Sequence, residues 1–115
     1  MILREWRGRA SPLQADAYPT HFRTKVLPEL ARVPGFLGAQ LSKRQLGDTI
    51  EFLVLTRWRT IGAIQDFAGS DIAKAIVEPG AIAALIDFDR CVLHYEVIED
   101  MVPEDWGRLV RQDVL

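Results

Sequence analysis

Four segments of the chain have the apolar composition and the alternation of β-strands. They are residues 2–9, 36–45, 50–59 and 90–99. The segment 50–59 is largely apolar on both of its faces, which is typical of a central strand covered on both sides. A Gly-Asp pair separates the second segment from the third, so we predict that these two strands form a hairpin.

Helical spacing of apolar residues fills the gap between the first two strands. Ser11 and Pro12 suit the start of a helix, and apolar side chains then recur from Tyr18 to Val33. Pro19 lies inside this run and removes one backbone donor. We therefore predict that the helix kinks or restarts there.

Shorter helical patterns follow the third strand. Thr60 is a helix-capping residue, the apolar stripe runs over residues 61–67, and Gly69 ends it. We predict another short helix over residues 72–77, ended by a Pro-Gly pair, and a further apolar turn over residues 82–86.

The resulting order of elements is β-α-β-β-α-β, the split βαβ arrangement of an α+β, ferredoxin-like fold. It predicts an antiparallel sheet with the strand order 4-1-3-2 and both helices on one face. The other face needs a cover, and a second copy of the sheet would supply it, so we expect a homodimer. Residues 1–100 form the predicted domain, and residues 101–115 form a tail that would dock on this subunit or its partner.

Composition and charge limit the classes of function. A chain of 115 residues with 49% apolar and 26% charged residues suits one globular domain, and its net charge of −2 gives no reason to expect a nucleic-acid partner. No segment approaches the ~20 apolar residues of a membrane span, and the start of the chain does not resemble a signal peptide. The single cysteine suits a reducing compartment. We therefore expect a cytoplasmic protein without membrane contact.

Candidate chemistry begins with the histidines. His21 lies on the first predicted helix and His94 on the last predicted strand, and the sequence has no others. Each can transfer a proton near neutral pH, which makes both candidates for catalysis, and a structural hydrogen bond is the alternative for each. Their separation does not match a metal-ligand spacing, and no glycine-rich loop matches a nucleotide fingerprint, so we expect no metal and no cofactor.

Several aromatic side chains could line a cleft for a flat, apolar ligand. The predicted members of this set are Trp6, Tyr18, Phe22, Trp58 and Phe67, and Tyr95 could join them. Packing in the core is the alternative for each of them. Arg57 completes the predicted binding set, because an arginine can bind a phenolate or stabilise a developing oxyanion. A cross-strand ion pair is the alternative for Arg57.

Four stretches of the sequence resemble the antibiotic-biosynthesis-monooxygenase family. They are residues 33–39 (VPGFLGA), 52–58 (FLVLTRW), 67–69 (FAG) and 94–97 (HYEV). The resemblance covers about residues 1–100. It implies a dimeric α+β barrel, in which two sheets pack face to face, the helices lie outside, and each subunit has a pocket between sheet and helices.

Members of that superfamily differ in activity, so the resemblance implies a function only in outline. It favours a cofactor-independent monooxygenase acting on a small aromatic or quinol substrate. The alternative is a non-catalytic dimer that binds a ligand or has a structural role. Haem binding is a lesser alternative in which His94 would be an axial ligand. Haem-degrading members use an Asn, a Trp and a His, and this sequence contains no asparagine. The substrate and the pathway are not identified by the sequence.

Overall fold

A computed structural model describes residues 1–103, in which five strands form one antiparallel sheet. The strands are β1 (Ile2–Ala10), β2 (Phe36–Leu46), β3 (Thr49–Trp58), β4 (Asp87–Phe88) and β5 (Leu93–Glu96). Their order in the sheet is β2-β3-β1-β4, and β5 also pairs with β1. β4 and β5 therefore share the position of one fourth strand, and the predicted order 4-1-3-2 is confirmed.

The fourth strand is shorter and more interrupted than the strand predicted over residues 90–99. Between β4 and β5 the chain leaves β1, and Cys91 pairs with Lys74 instead. The Val92 N–H donates to the Ala73 carbonyl at 2.8 Å. The predicted bounds were wrong because an alternating pattern does not reveal which segment a strand pairs with.

The first helical region is divided into short parts. It has four parts, a 3-10 turn (Pro12–Gln14), α1 (Ala17–His21), a π-helical turn (Phe22–Val26) and α2 (Leu27–Leu30). After the 3-10 turn the helix restarts at Ala17, and Pro19 lies in the first turn of α1, where its missing N–H would have no partner within the helix, so the predicted restart is confirmed. A second irregularity is the π turn, which ends two residues before Pro28.

The helix after β3 is confirmed together with its capping residues. In α3 (Ile61–Ala68), the Ala63 N–H donates to Thr60 Oγ1 at 3.1 Å, and Gly69 ends the helix with a φ of 85°. The helix predicted over residues 72–77 is wrong, since this segment is irregular and two of its carbonyl groups accept hydrogen bonds from an arginine of β1. The following helix is α4 (Pro79–Ala84), and Pro79 begins it because proline suits a first turn.

The two faces of the sheet differ in their cover. The helices pack on the face that carries Trp6, Phe52 and Trp58, which we call the covered face. The other face, which we call the open face, carries the intervening side chains of β1 and β3. These are Leu3, Glu5, Arg7, Arg9, Glu51, Leu53, Leu55 and Arg57. The helices on one side of an antiparallel sheet confirm the α+β, ferredoxin-like fold.

Two expectations concern parts beyond this subunit's described structure. Pairing of the open face with a second subunit stays a prediction. The tail predicted over residues 101–115 lies outside the described residues from position 104 onward. No helix within residues 1–103 is long and apolar enough to cross a membrane.

Candidate functional site

A cavity of about 100 Å³ lies between the covered face of the sheet and the helices. Apolar side chains make up most of its wall, as in typical sites for small organic ligands. The charged or hydroxyl-bearing residues and the histidine on this wall are Arg4, Tyr18, His21, Glu29, Thr56 and Glu78. They come from both strands at the centre of the sheet, from the first helical region, and from the segment before α4.

Four of the predicted site residues meet at this cavity. Trp6, Tyr18, His21 and Phe67 all contribute to its wall. The ring centroids of Trp6 and Tyr18 are 5.7 Å apart, and those of Tyr18 and His21 are 6.1 Å apart. The alternation of β1 and the helical spacing of α1 place these rings on facing surfaces. Part of the predicted aromatic set therefore does form the wall of one cavity.

Three other predicted binding residues lie elsewhere. Trp58 has no exposed surface, and its indole N–H donates to Thr56 Oγ1 at 2.8 Å within the core. Phe22 is buried against Tyr18 and contributes to a separate groove beside β2. Arg57 lies on the open face, and its guanidinium covers Gly38 of β2. Roles for these three in ligand binding stay predictions that the cavity does not support.

His21 presents a buried nitrogen at the cavity. Its Nε2 has no hydrogen-bond partner among residues 1–103, although His21 contributes to the cavity wall. Its ring packs on Gly80 so closely that a Cβ at position 80 would lie 2.7 Å from His21 Nδ1. A buried polar atom without a partner costs about 1–3 kcal/mol, so this arrangement would be unfavourable unless a ligand completes it.

His94 lies beside the cavity but is not part of its wall. It is the direct partner of Arg4 across the β1–β5 ladder, and Arg4 Nη1 is 2.9 Å from His94 Nε2. A guanidinium can only donate, so Nε2 is the acceptor and the ring proton is on Nδ1. Burial and the charge of Arg4 lower the pKa of His94 below its ordinary value. His94 is therefore neutral at neutral pH.

Arg4 is the polar residue whose importance the sequence understated. Its side chain is 6% exposed, and it donates to the Ile72 carbonyl at 2.7 Å and the Lys74 carbonyl at 3.2 Å. Within residues 1–103, no carboxylate lies within 4.0 Å of it. Burial lowers the pKa of Arg4 to about 10, so it stays charged at neutral pH. The signal available in the sequence was a charged residue at an inward position of a central strand.

A pair of glutamates forms another part of the wall, and sequence reasoning did not identify it. Burial, followed by a hydrogen bond with Glu29, raises the pKa of Glu78 even though His21 and Lys25 are close enough to oppose this. Burial, followed by the charge of Glu78, also raises the pKa of Tyr18, whose hydroxyl therefore stays protonated. Glu78 was missed because its segment was assigned to the end of a helix.

A metal site is not evident in this arrangement. Among residues 1–103, no three His, Cys, Asp or Glu side chains are grouped so that they could hold a metal ion. The described part of the molecule is instead a ferredoxin-like domain with a small, mostly apolar cavity and a few polar groups on its wall.

Sequence comparison assigns the family. The family profile described as antibiotic biosynthesis monooxygenase matches residues 1–79, and the chain belongs to that family. A search among curated proteins finds no match.

Solved structures share the fold at low sequence identity. A heme-degrader from Mycobacterium tuberculosis, MhuD, solved with two hemes in its active site, is 21% identical with a TM-score of 0.60, covering 89% of this chain and 100% of its own. A Streptomyces coelicolor monooxygenase, ActVA-Orf6, in complex with nanaomycin D, is 14% identical with a TM-score of 0.58, covering 89% and 91%. A Deinococcus radiodurans protein, assigned to the antibiotic biosynthesis monooxygenases, is 20% identical with a TM-score of 0.58, covering 89% and 97%.

Proposed function

We propose that this protein is a cofactor-independent monooxygenase that oxidises a small aromatic or quinol substrate in the cavity beside His21. The observation that carries the proposal is the buried His21 Nε2, which lacks a partner among residues 1–103 while aromatic rings form the wall around it. An unpaired imidazole nitrogen on an aromatic wall suits a ligand that is flat and carries one acidic proton. Family membership supports the same class of reaction.

The chemistry needs a base, an environment without bulk water, and a substrate that forms an electron-rich anion. His21 Nε2 would accept the hydroxyl proton of a phenol, and the nearby Glu78 carboxylate would stabilise the resulting imidazolium. Dioxygen then adds to the ring carbon of the phenolate, and the hydroperoxide loses water to leave a quinone. One phenol and one dioxygen thus give one quinone and one water.

The cavity volume limits the size of the substrate. An apolar cavity of roughly 150 Å³ holds benzene, and the cavity here measures about 100 Å³. The wall must therefore move slightly even for a single ring, and a ring with small substituents is the largest group that we expect to fit. A polycyclic substrate would require the irregular segment over residues 72–77 to move outward.

The sequence suggested His94 as a catalytic base, but we propose another role for it. Its Nε2 is engaged with Arg4, so it would first have to break that hydrogen bond to accept a substrate proton. We propose that His94 holds Arg4 in place.

The hydrogen bond from Arg4 also bears on haem binding, because it occupies the His94 nitrogen that a haem iron would need. The volume of the cavity is far below the 300 Å³ at which typical ligand pockets begin. The residues present therefore do not fit haem.

We also propose that the protein is a homodimer that functions in the cytoplasm. The open face exposes Leu93 and Tyr95 of β5 by 54% and 48%, and it also carries Leu53 and Leu55 of β3. Apolar area of this kind on a flat sheet suits a second copy of the same face. Sedimentation equilibrium at micromolar concentration tests this, since a monomer of 13.0 kDa would exclude it.

Oxygen uptake and ligand binding together test the proposed reaction. We expect electron-rich single-ring phenols to cause oxygen uptake with stoichiometric quinone, and ¹⁸O₂ to label the product. His21→Phe should abolish uptake, whereas Thr20→Ala, an exposed change in the same helix, should not. Calorimetric binding without uptake would support the non-catalytic ligand-binding alternative, and the absence of both would contradict the proposal.

A further inference from the structure

Arg4 and Thr56 form a group of hydrogen-bond donors on the floor of the cavity. They are direct partners across the β1–β3 ladder, both point to the covered face, and both contribute to the cavity wall. Both are more than nine-tenths buried, with exposures of 6% and 5%. Their position is fixed by the two central strands, which are the most regular part of the sheet.

Neither residue has used up its donors. The Thr56 hydroxyl accepts the Trp58 indole N–H at 2.8 Å, so its own hydrogen points elsewhere. Arg4 has five N–H groups, and its partners within residues 1–103 are two carbonyls and one imidazole nitrogen. Each of those partners is neutral, because burial and Arg4 itself keep the His94 ring uncharged.

A buried guanidinium without an anion is costly. Charged groups inside proteins are normally paired with an opposite charge, and leaving one unpaired is strongly unfavourable. On the open face, by contrast, Arg9 is paired with carboxylates, since it contacts Asp87 at 2.5 Å and Asp89 at 2.9 Å. The two acidic residues of the cavity, Glu29 and Glu78, lie on the helical side and do not contact Arg4.

We propose that Arg4 and Thr56 form an anion-binding subsite, and that the natural ligand is a single-ring aromatic compound bearing a carboxylate. This rests on the proposed function and specifies its substrate class. The carboxylate accepts hydrogen bonds from the Arg4 guanidinium and the Thr56 hydroxyl, and the ring lies against Trp6. The end of the ligand remote from the carboxylate then faces His21, so the subsite also orients the substrate.

Benzoate and benzamide form a matched pair of probes for this subsite, since they differ in charge and hardly in shape. Calorimetry on the wild type at pH 7 should give benzoate an affinity about 10- to 100-fold higher than benzamide, the range expected of hydrogen bonds to a charged group. Arg4→Met should remove this preference, and Thr56→Val should reduce it. Arg59→Met, a loss of charge from an exposed residue just after β3, should leave it unchanged.

The possible outcomes separate this inference from the proposed function. Equal affinity of the two probes for the wild type, or an unchanged preference in a folded Arg4→Met protein, would overturn the anion subsite while leaving an aromatic site intact. Binding of neither probe would overturn the anion subsite, and the absence of phenol binding as well would overturn both. Arg4→Lys keeps a positive charge with fewer donors, so if Arg4→Met does not fold, a reduced benzoate preference in Arg4→Lys is the expected result and an unchanged one contradicts the subsite.

Discussion

The open and covered faces of the sheet differ in how completely their polar groups are paired. On the open face, the Glu51 carboxylate lies 2.8 Å from Arg44 and 3.5 Å from Arg9, and Arg9 also contacts two aspartates. Around the cavity, Arg4 of the covered face contacts only neutral groups within residues 1–103, and His21 Nε2 of the facing helix has no hydrogen-bond partner there. Charges that find partners within the chain are explained by stability. The incomplete pairing around the cavity needs a partner beyond residues 1–103, and a ligand is the simplest candidate.

The largest loss of stability should come from truncating a side chain of the covered face that is fully buried in the core. Trp58 has no exposed surface, so Trp58→Ala should lower the free energy of unfolding by about 3–5 kcal/mol. The adjacent Arg57 points to the open face, and Arg57→Ala should cost less than about 1 kcal/mol. Urea denaturation of the two variants measures both values. Similar losses would show that the two faces do not differ in the way described.

Substitutions at two helical glycines distinguish crowding at the cavity from a change away from it. Gly80 packs on His21, whereas Gly62 does not. Alanine is the better helix former, and Gly62→Ala meets nothing closer than 3.6 Å, so it should stabilise the protein by about 0.5–1 kcal/mol. Gly80→Ala places a Cβ at 2.7 Å from His21 Nδ1 and must displace the ring. We expect it to destabilise the protein by about 1–3 kcal/mol and to weaken phenol binding. Thermal melts and calorimetry check this, and a stabilising Gly80→Ala with unchanged binding would remove His21 from the site.

Much of the fold was predictable from the sequence, because it follows from local patterns. The period-two alternation of β1 and β3 and the capping residues of α3 are consequences of neighbouring residues, and all were found. The helix assigned to residues 72–77 was wrong because its carbonyls bond to Arg4, more than sixty positions away. His21, Tyr18, Trp6 and Phe67 were predicted from residue type, whereas the meeting of Arg4, Thr56 and Glu78 depends on tertiary packing that no local pattern records.

A moderate loss of stability should follow from removing the carboxylate of Glu51 on the open face. Hydrogen bonding and charge from Arg44 lower the pKa of Glu51, so Glu51 stabilises the fold above its unfolded pKa and loses this contribution as the pH falls through the lower folded value. Glu51→Gln should destabilise the protein by about 1 kcal/mol at pH 7 and flatten its loss of stability below pH ~4.5. Benzoate binding should not change. Denaturation curves from pH 3 to 7 measure this, and a loss of benzoate affinity would contradict the separation of the two faces.

The smallest effect on stability should come from the protonation of His94 as the pH falls. Because its folded pKa is lowered, the unfolded chain binds a proton that the folded protein resists, so its contribution to stability falls as the pH drops below about 6.5. His94→Gln keeps an acceptor for Arg4 but does not titrate, so the difference between its melting temperatures at pH 5 and pH 7 should be smaller than for the wild type. An unchanged difference would show that the Arg4–His94 hydrogen bond does not set this dependence.

The central claim is that His21 Nε2 has no hydrogen-bond partner within residues 1–103 and pairs with a ligand. Two histidines give few ring signals, and His21→Phe assigns them. A ¹⁵N NMR titration of the imidazole nitrogens with phenol measures the claim directly. We predict that phenol shifts the His21 Nε2 resonance in a saturable manner while the His94 Nε2 resonance keeps its position as the acceptor from Arg4. A His21 resonance that stays unchanged at saturating phenol would contradict the account.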